Sequence, residues 1–157
     1  LRNRRQRQMC IRDSIKAAAR EAFPVVHPLN PAIGGVTFTE FTLPVTKEGS
    51  ALRGRNTVVI SPGKLDRSPC GTGSSARLAV LRAKHEISLG QRFTSESVLG
   101  TEFHCDIVEE TQVGPYPGVV PRLSGRAWLT GLHQFGVDPS DPFPEGYTLS
   151  DTWYRAL

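Results

Sequence analysis

The sequence predicts an α+β domain in which many short strands surround one central helix, with a second helix at the amino end. Three observations carry this. Residues 73–84 are good helix formers and are apolar on nearly every side until Arg82, as expected for a helix buried inside a curved sheet. Phe103, Cys105 and Ile107 alternate with His104, Asp106 and Val108, the period of a half-buried strand. Fifteen glycines and twelve prolines punctuate the remaining apolar segments, so those segments are short.

From the amino end, Ile15, Ala18, Ala19, Ala22 and Phe23 recur at helical spacing and predict an amphipathic helix that Pro24 stops. Residues 24–31 contain three prolines and read as extended chain. Gly35–Leu43 has high β-propensity and predicts a strand. Residues 46–54 read as a polar loop, and Thr57–Ile60 as a second strand leading to the loop before Asp66. After the central helix, Phe93 begins a strand region. Further strands are expected at 117–121, 124–130 and 132–136, and Asp138–Tyr147, rich in Pro and Asp, is expected to be a surface loop. There is no repeat, low-complexity tract or interdomain linker.

Composition narrows the class. The 157 residues make one domain's worth of chain, and 38% hydrophobic with 22% charged residues is ordinary for a soluble globular protein. No apolar run approaches the roughly 20 residues needed to span a bilayer, and no secretory signal is visible, so no membrane partner is expected. Cysteines at 10, 70 and 105 form no disulfide or CxxC pattern, which points to a reducing, cytoplasmic setting.

Charge suggests nucleic acid only at first sight. Residues 1–14 hold five arginines and one aspartate, which equals the net charge of +4 for the whole chain, so the rest is balanced. The segment Arg4–Asp13 also back-translates as CGT CGG CAG CGT CAG ATG TGT ATA AGA GAC, which resembles a transposase-type sequencing adapter read in frame on a metagenomic contig. Residues 1–14 are therefore expected to be an artefact and the protein to begin near Ile15. Cys10 and the basic excess then carry no function, and no nucleic-acid partner is expected. The alternative is a genuine basic arm.

The chemistry concentrates in Asp66-Arg67-Ser68-Pro69-Cys70-Gly71-Thr72-Gly73-Ser74-Ser75-Ala76-Arg77-Leu78. Cys70 stands at the mouth of a helix, where unpaired N–H groups and the helix dipole favour anions. A thiol there is expected to lose its proton more readily and to act as base or nucleophile. Gly71 and Thr72 can present N–H groups to a carboxylate. The GTGSSAR loop lacks the Lys-Ser/Thr pair of a P-loop and the spacing of a dinucleotide fingerprint. Asp66 can hold a substrate ammonium by a charge-assisted hydrogen bond or can simply form a turn. Cys105 reads as a core thiol, His104 as solvated, and His85 as a surface residue at a helix end. His27 has no assigned partner and His133 is uninformative. No two ligands have zinc spacing, so no metal is expected. No lysine sits in a Schiff-base context. A Cys-His hydrolase dyad lacks a placed partner.

The run DRSPCGTGSSARLAVL resembles the second cysteine motif of the proline racemase family, which includes proline racemases, 4-hydroxyproline 2-epimerases and trans-3-hydroxyproline dehydratases. VVHPLNPAIGGVTFTEFT and RNTVVISPGKLDRSPCGTG before it are similar to the family, as are SESVLGTEF, VPRLSGRAWLTG and DPSDPFPEGYTLSDTW after it, so the resemblance covers about residues 15–153. It implies one half of a diaminopimelate-epimerase-like, pseudo-symmetric fold with a curved, mostly antiparallel sheet around a central helix. It also implies cofactor-independent inversion at Cα of an imino acid by two cysteines on opposite faces, one as thiolate and one as thiol. On this resemblance Cys70 is one of the two, Gly71 and Thr72 bind the substrate carboxylate, and Asp66 binds the ring ammonium. The family's first cysteine, in a Cys-Gly-His motif, has no counterpart here. Residues 15–157 are thus expected to be the C-terminal catalytic half, inactive alone, of an enzyme whose full-length form is expected as a homodimer. Dehydratase members carry threonine where this chain has Cys70, which favours a racemase or epimerase over a lyase. The flanking sequence favours 4-hydroxyproline over proline.

Overall fold

The computed structural model describes residues 2–60 and 64–146, with side chains described from residue 10 onward. Two units are distinguished, residues 1–126 and 127–157. All helices and strands described lie in the first; the described part of the second carries turns only.

The amino-terminal helix α1 spans Arg2–Ala22, not the expected start near residue 15. Arginine, glutamine and methionine are good helix formers, so the helix continues without a break through the arginine-rich segment. Its expected apolar stripe is not buried: Ile15 is 46% and Phe23 66% exposed. Arginines attach α1 instead. Arg12 is buried, donates to the carbonyl of Ile60 at 3.1 Å and pairs with Asp13, while Arg20 donates to the carbonyl of Val36 at 2.9 Å.

The proline-rich stretch folds into a small antiparallel ladder, β1 (Val26–His27) with β2 (Asn30–Gly34), so the expected plain extended chain is a turn-back. His27 Nδ1 there accepts from the Leu29 N–H. Only Thr39–Thr42 of the expected strand at 35–43 is a strand, β3. The expected loop at 46–54 is a hairpin: β4 (Thr46–Glu48) turns at Gly49, with φ of 63°, into the ten-residue β5 (Ala51–Ile60). Its outer strand is fully exposed and polar, which hid it from an apolar pattern.

A short β6 (Lys64–Leu65) pairs with the end of β5 and leads to α2 (Gly71–Ala83). Then come β7 (Phe93–Glu96), β8 (Glu102–Val113) and β9 (Tyr116–Gly125). The main sheet has the order β3-β5-β7-β8-β9, with β4 and β6 also on β5. Every pairing is antiparallel except β5 with β7. The sheet is curved and does not close. The strands expected at 117–121 and 124–130 are one strand ending at Gly125, and residues 132–136 form none. Asp138–Gly146 is an exposed loop, as expected; Tyr147 lies outside the described residues.

The core lies between α2 and the sheet: Leu78 and Leu81 pack with Leu52, Ile87, Phe93, Cys105 and Ile107. Burying one such side chain contributes about 1.5–3 kcal/mol. The helix is not buried all round. Ser74, Arg77, Leu78 and Leu81 form one buried stripe, while Val80 on the other side is 51% exposed. No helix among the described residues is long and apolar enough to cross a membrane.

Candidate active site

The site is built where α2 begins. Cys70 is its N-cap residue, with φ of 62° and ψ of 114°, an uncommon backbone for a residue with a side chain. Its Sγ accepts from the Gly73 N–H at 3.3 Å and its carbonyl accepts from the Ser74 N–H at 2.9 Å. The first bond satisfies one of the orphan N–H groups of the first turn, and the second is the first regular bond of the helix. Gly71 and Thr72 are exposed, and no acceptor among the described residues meets their N–H groups. The first turn therefore keeps two donors free beside the thiol.

The loop before Cys70 is held by a small hydrogen-bonded turn. Asp66 Oδ1 accepts from both the N–H and the hydroxyl of Ser68 at 2.9 Å, and the Ser68 hydroxyl accepts from the Cys70 N–H at 3.0 Å. Asp66 is thus a turn former, and its charge acts on the Cys70 thiol. The structure brings Asp66, Cys70, Gly71 and Thr72 together.

Beneath the loop lies a buried polar cluster. Asn56, on the core face of β5, donates to the Pro69 carbonyl at 2.8 Å and to Glu40 Oε1 at 2.6 Å. Its Oδ1 accepts from the Ser95 hydroxyl at 2.9 Å. The Ser74 hydroxyl stands 2.9 Å from that of Ser95 and 3.0 Å from the Pro69 carbonyl. Asn56, Ser74 and Ser95 are all buried. Strand β5, strand β7 and helix α2 thereby clamp one carbonyl, immediately before the thiol.

Sequence reading missed Glu40. It sits on β3 and reaches under the first turn of α2: a Cβ added at Gly73 would stand 2.8 Å from Glu40 Oε1 and 3.0 Å from Val58 Cγ2. Burial pushes this carboxyl above the usual carboxylate range, opposed by the Asn56 hydrogen bond and the charge of Arg77. Arg77 is itself buried, donating to the carbonyls of Leu43 at 2.6 Å and Arg55 at 3.1 Å and lying 5.4 Å over the Phe93 ring. Nothing in the pattern TEF distinguishes Glu40 from a solvated strand residue.

The expectation of an acidified thiol is corrected. Burial pushes the Cys70 thiol up, the charges of Asp66 and Glu40 add to that, and the Gly73 N–H opposes it. The Gly73 N–H acts in the expected direction but is outweighed. Cys105 is a core residue as expected; burial first, then the charge of Asp106, pushes it up to about 11. Cys10 is exposed on α1. His104 and His85 are exposed, the latter just beyond α2 with φ of 58°. No group of three or more metal-ligating side chains occurs among the described residues. A cleft of about 650 Å³, lined by Arg82, His85, Glu110 and Val119, lies at the opposite end of α2 from Cys70.

The family model described as proline racemase matches residues 1–148. Among solved structures, a probable proline racemase from Agrobacterium radiobacter K84, with bound carbonate, is 38% identical with a TM-score of 0.69. It covers 93% of this chain and 42% of its own. A hydroxyproline epimerase from Agrobacterium vitis, with bound trans-4-hydroxy-L-proline, is 35% identical with a TM-score of 0.67, covering 94% of this chain and 41% of its own. The chain thus spans about two fifths of the length of these structures.

Proposed function

The chain belongs to the proline racemase family, and on that premise we propose that it supplies one acid/base group of a cofactor-independent racemase or epimerase. The substrate is 4-hydroxyproline or proline, inverted at Cα. The observation that carries this is Cys70 at the N-cap of α2, beside the free N–H groups of Gly71 and Thr72. Those N–H groups take the substrate carboxylate, and Asp66 takes the ring ammonium. Charge that develops on the carboxylate as the Cα–H bond breaks is stabilised by the same donors.

Cys70 works from one face of Cα. As a thiol it delivers its proton to the carbanion; as a thiolate it takes the Cα proton, leaving the electron pair on carbon. A ring ammonium docked on Asp66 neutralises one of the two charges that hold the thiol up, so bound substrate brings the thiolate within reach. Inversion needs a second acid/base group on the other face. Cys105 is buried in the core; on this reading the second group lies outside residues 15–157 and this chain alone is inactive. Residues 15–157 are then the catalytic half, and residues 1–14 an in-frame adapter translation. Reading the source DNA upstream of Ile15 for a Cys-Gly-His motif tests that division.

A cysteine at position 70 favours epimerisation over the elimination expected of a threonine there. The Agrobacterium vitis neighbour, solved with trans-4-hydroxy-L-proline, supports the hydroxylated substrate. The parent enzyme in deuterium oxide should exchange the Cα hydrogen of 4-hydroxyproline, and Cys70→Ser should abolish inversion. Inversion at the normal rate by that variant overturns the assignment.

A further inference from the structure

We propose that Glu40 is a charge-bearing positioning residue for Cys70: held by Asn56 beneath the first turn of α2, its carboxylate governs how readily the thiol ionises. The proposal rests on the reading of Cys70 as the reacting group, but its test reads the thiol directly. Two pieces of geometry carry it. The first is the close seat: Oε1 accepts from Asn56 at 2.6 Å and lies where a Cβ on Gly73 would meet it at 2.8 Å, so a glycine at 73 makes room for the carboxylate. The second is the shared anchor. The same Asn56 Nδ2 that holds Glu40 holds the Pro69 carbonyl, so carboxylate and thiol loop are fixed on one side chain.

The charged groups that face Cys70 come from three elements. Asp66 lies in the turn before α2, Glu40 on β3, and Arg77 on α2, acting on Glu40 from below. An ionised Glu40 disfavours a thiolate across the helix turn, whereas the dipole of α2 favours both anions. Asp66 is where a substrate ammonium is expected to dock, so its charge is cancelled during turnover. Glu40 is a separate, half-buried carboxyl on β3. When ionised it continues to oppose the thiolate while Asp66 is neutralised, which keeps Cys70 able to return a proton as well as to take one.

The experiment is the pH dependence of iodoacetamide alkylation at Cys70 in the full chain, followed by peptide mass. Glu40→Gln keeps an acceptor for Asn56 and removes the charge. Its alkylation midpoint should fall by about half a unit to one unit. Glu40→Asp, which keeps the charge, should stay near the parent midpoint. A merely structural Glu40 predicts overlapping profiles for Gln and the parent, and that result overturns the proposal. A second readout uses the unaltered protein: the Glu40 side-chain carboxyl 13C resonance should show a step at the Cys70 titration that is absent in Cys70→Ser. A carboxyl resonance blind to that titration also overturns the proposal.

Discussion

Asn56 Nδ2 donates to the carbonyl oxygen of Pro69 at 2.8 Å, so a buried strand side chain fixes the peptide immediately before Cys70. The bond belongs to a buried cluster in which the Ser95 hydroxyl donates to Asn56 Oδ1 and the Ser74 hydroxyl donates either to Ser95 or to the same carbonyl. Buried clusters of this kind are stable only when every member is satisfied. Here each of the three side chains has its partner, so the thiol loop is held by the sheet and not by surface contacts.

Replacing Asn56 by leucine removes the Glu40 hydrogen bond, one of the two contacts to the Pro69 carbonyl and the acceptor of the Ser95 hydroxyl. A buried polar group left unpaired costs about 1–3 kcal/mol. Asn56→Leu should lower the unfolding free energy by at least about 2 kcal/mol in a urea titration. It should also broaden the amide resonances of Cys70 and Gly71. A variant as stable as the parent would show that the cluster is incidental.

The three cysteines should separate by labelling. Cys105 is 2% exposed and its burial pushes the thiol up to about 11, so iodoacetamide at pH 8 should leave it unmodified until the chain unfolds. Cys70 is half-buried and Cys10 exposed, so both should label in the folded protein, Cys70 increasingly as pH rises. Peptide mass mapping before and after denaturant decides this.

Gly73→Ala should be poorly tolerated despite the usual gain from alanine in a helix. The added methyl meets Glu40 Oε1 at 2.8 Å and Val58 Cγ2 at 3.0 Å, and Val58 is a stiff, buried strand residue. Overpacking of this kind costs about 1–3 kcal/mol. Thermal melting should fall accordingly, whereas Gly71→Ala, with nothing within 4 Å, should change it little.

Acid should weaken the β5–β7 seam. The Arg55 hydrogen bond, ahead of Arg53, holds the Glu96 carboxyl below the usual carboxylate range. A carboxyl depressed in the folded state contributes stability that is present above its unfolded value and lost as pH falls through the folded value. Melting temperature should therefore drop through the low carboxylate range in the parent and less steeply in Glu96→Gln. Parallel curves would remove Glu96 from the account.

Local chemistry made part of this legible. Helix α2 announced itself by its run of alanine, leucine and valine after a Pro-Cys-Gly turn, and β8 by its alternation through Cys105. The first turn and its free donors followed from the same residues. The β4–β5 hairpin did not, because Thr46–Glu48 is a solvated outer strand and carries no apolar signal. The exposure of Val80 was also invisible, since propensity says that a helix forms and not how many sides are covered. Glu40 and Asn56 lie 30 and 14 positions from Cys70, on strands that only the pairing of β3 with β5 brings beneath α2. The net acidity of the thiol was misjudged because its burial, which no motif reveals, acts against the helix mouth, with the charges of Asp66 and Glu40 adding to it.

The backbone at Cys70, with φ of 62°, has a consequence for how such a chain changes over generations. A side chain held in a sparsely populated region costs about 1–3 kcal/mol, and glycine would relieve it while losing only a few tenths as an N-cap. Drift under selection for folding alone therefore runs toward glycine at position 70. A lineage that retains cysteine there is retaining it against its own stability, so the residue at this one position separates copies kept for their chemistry from copies kept merely as folded protein.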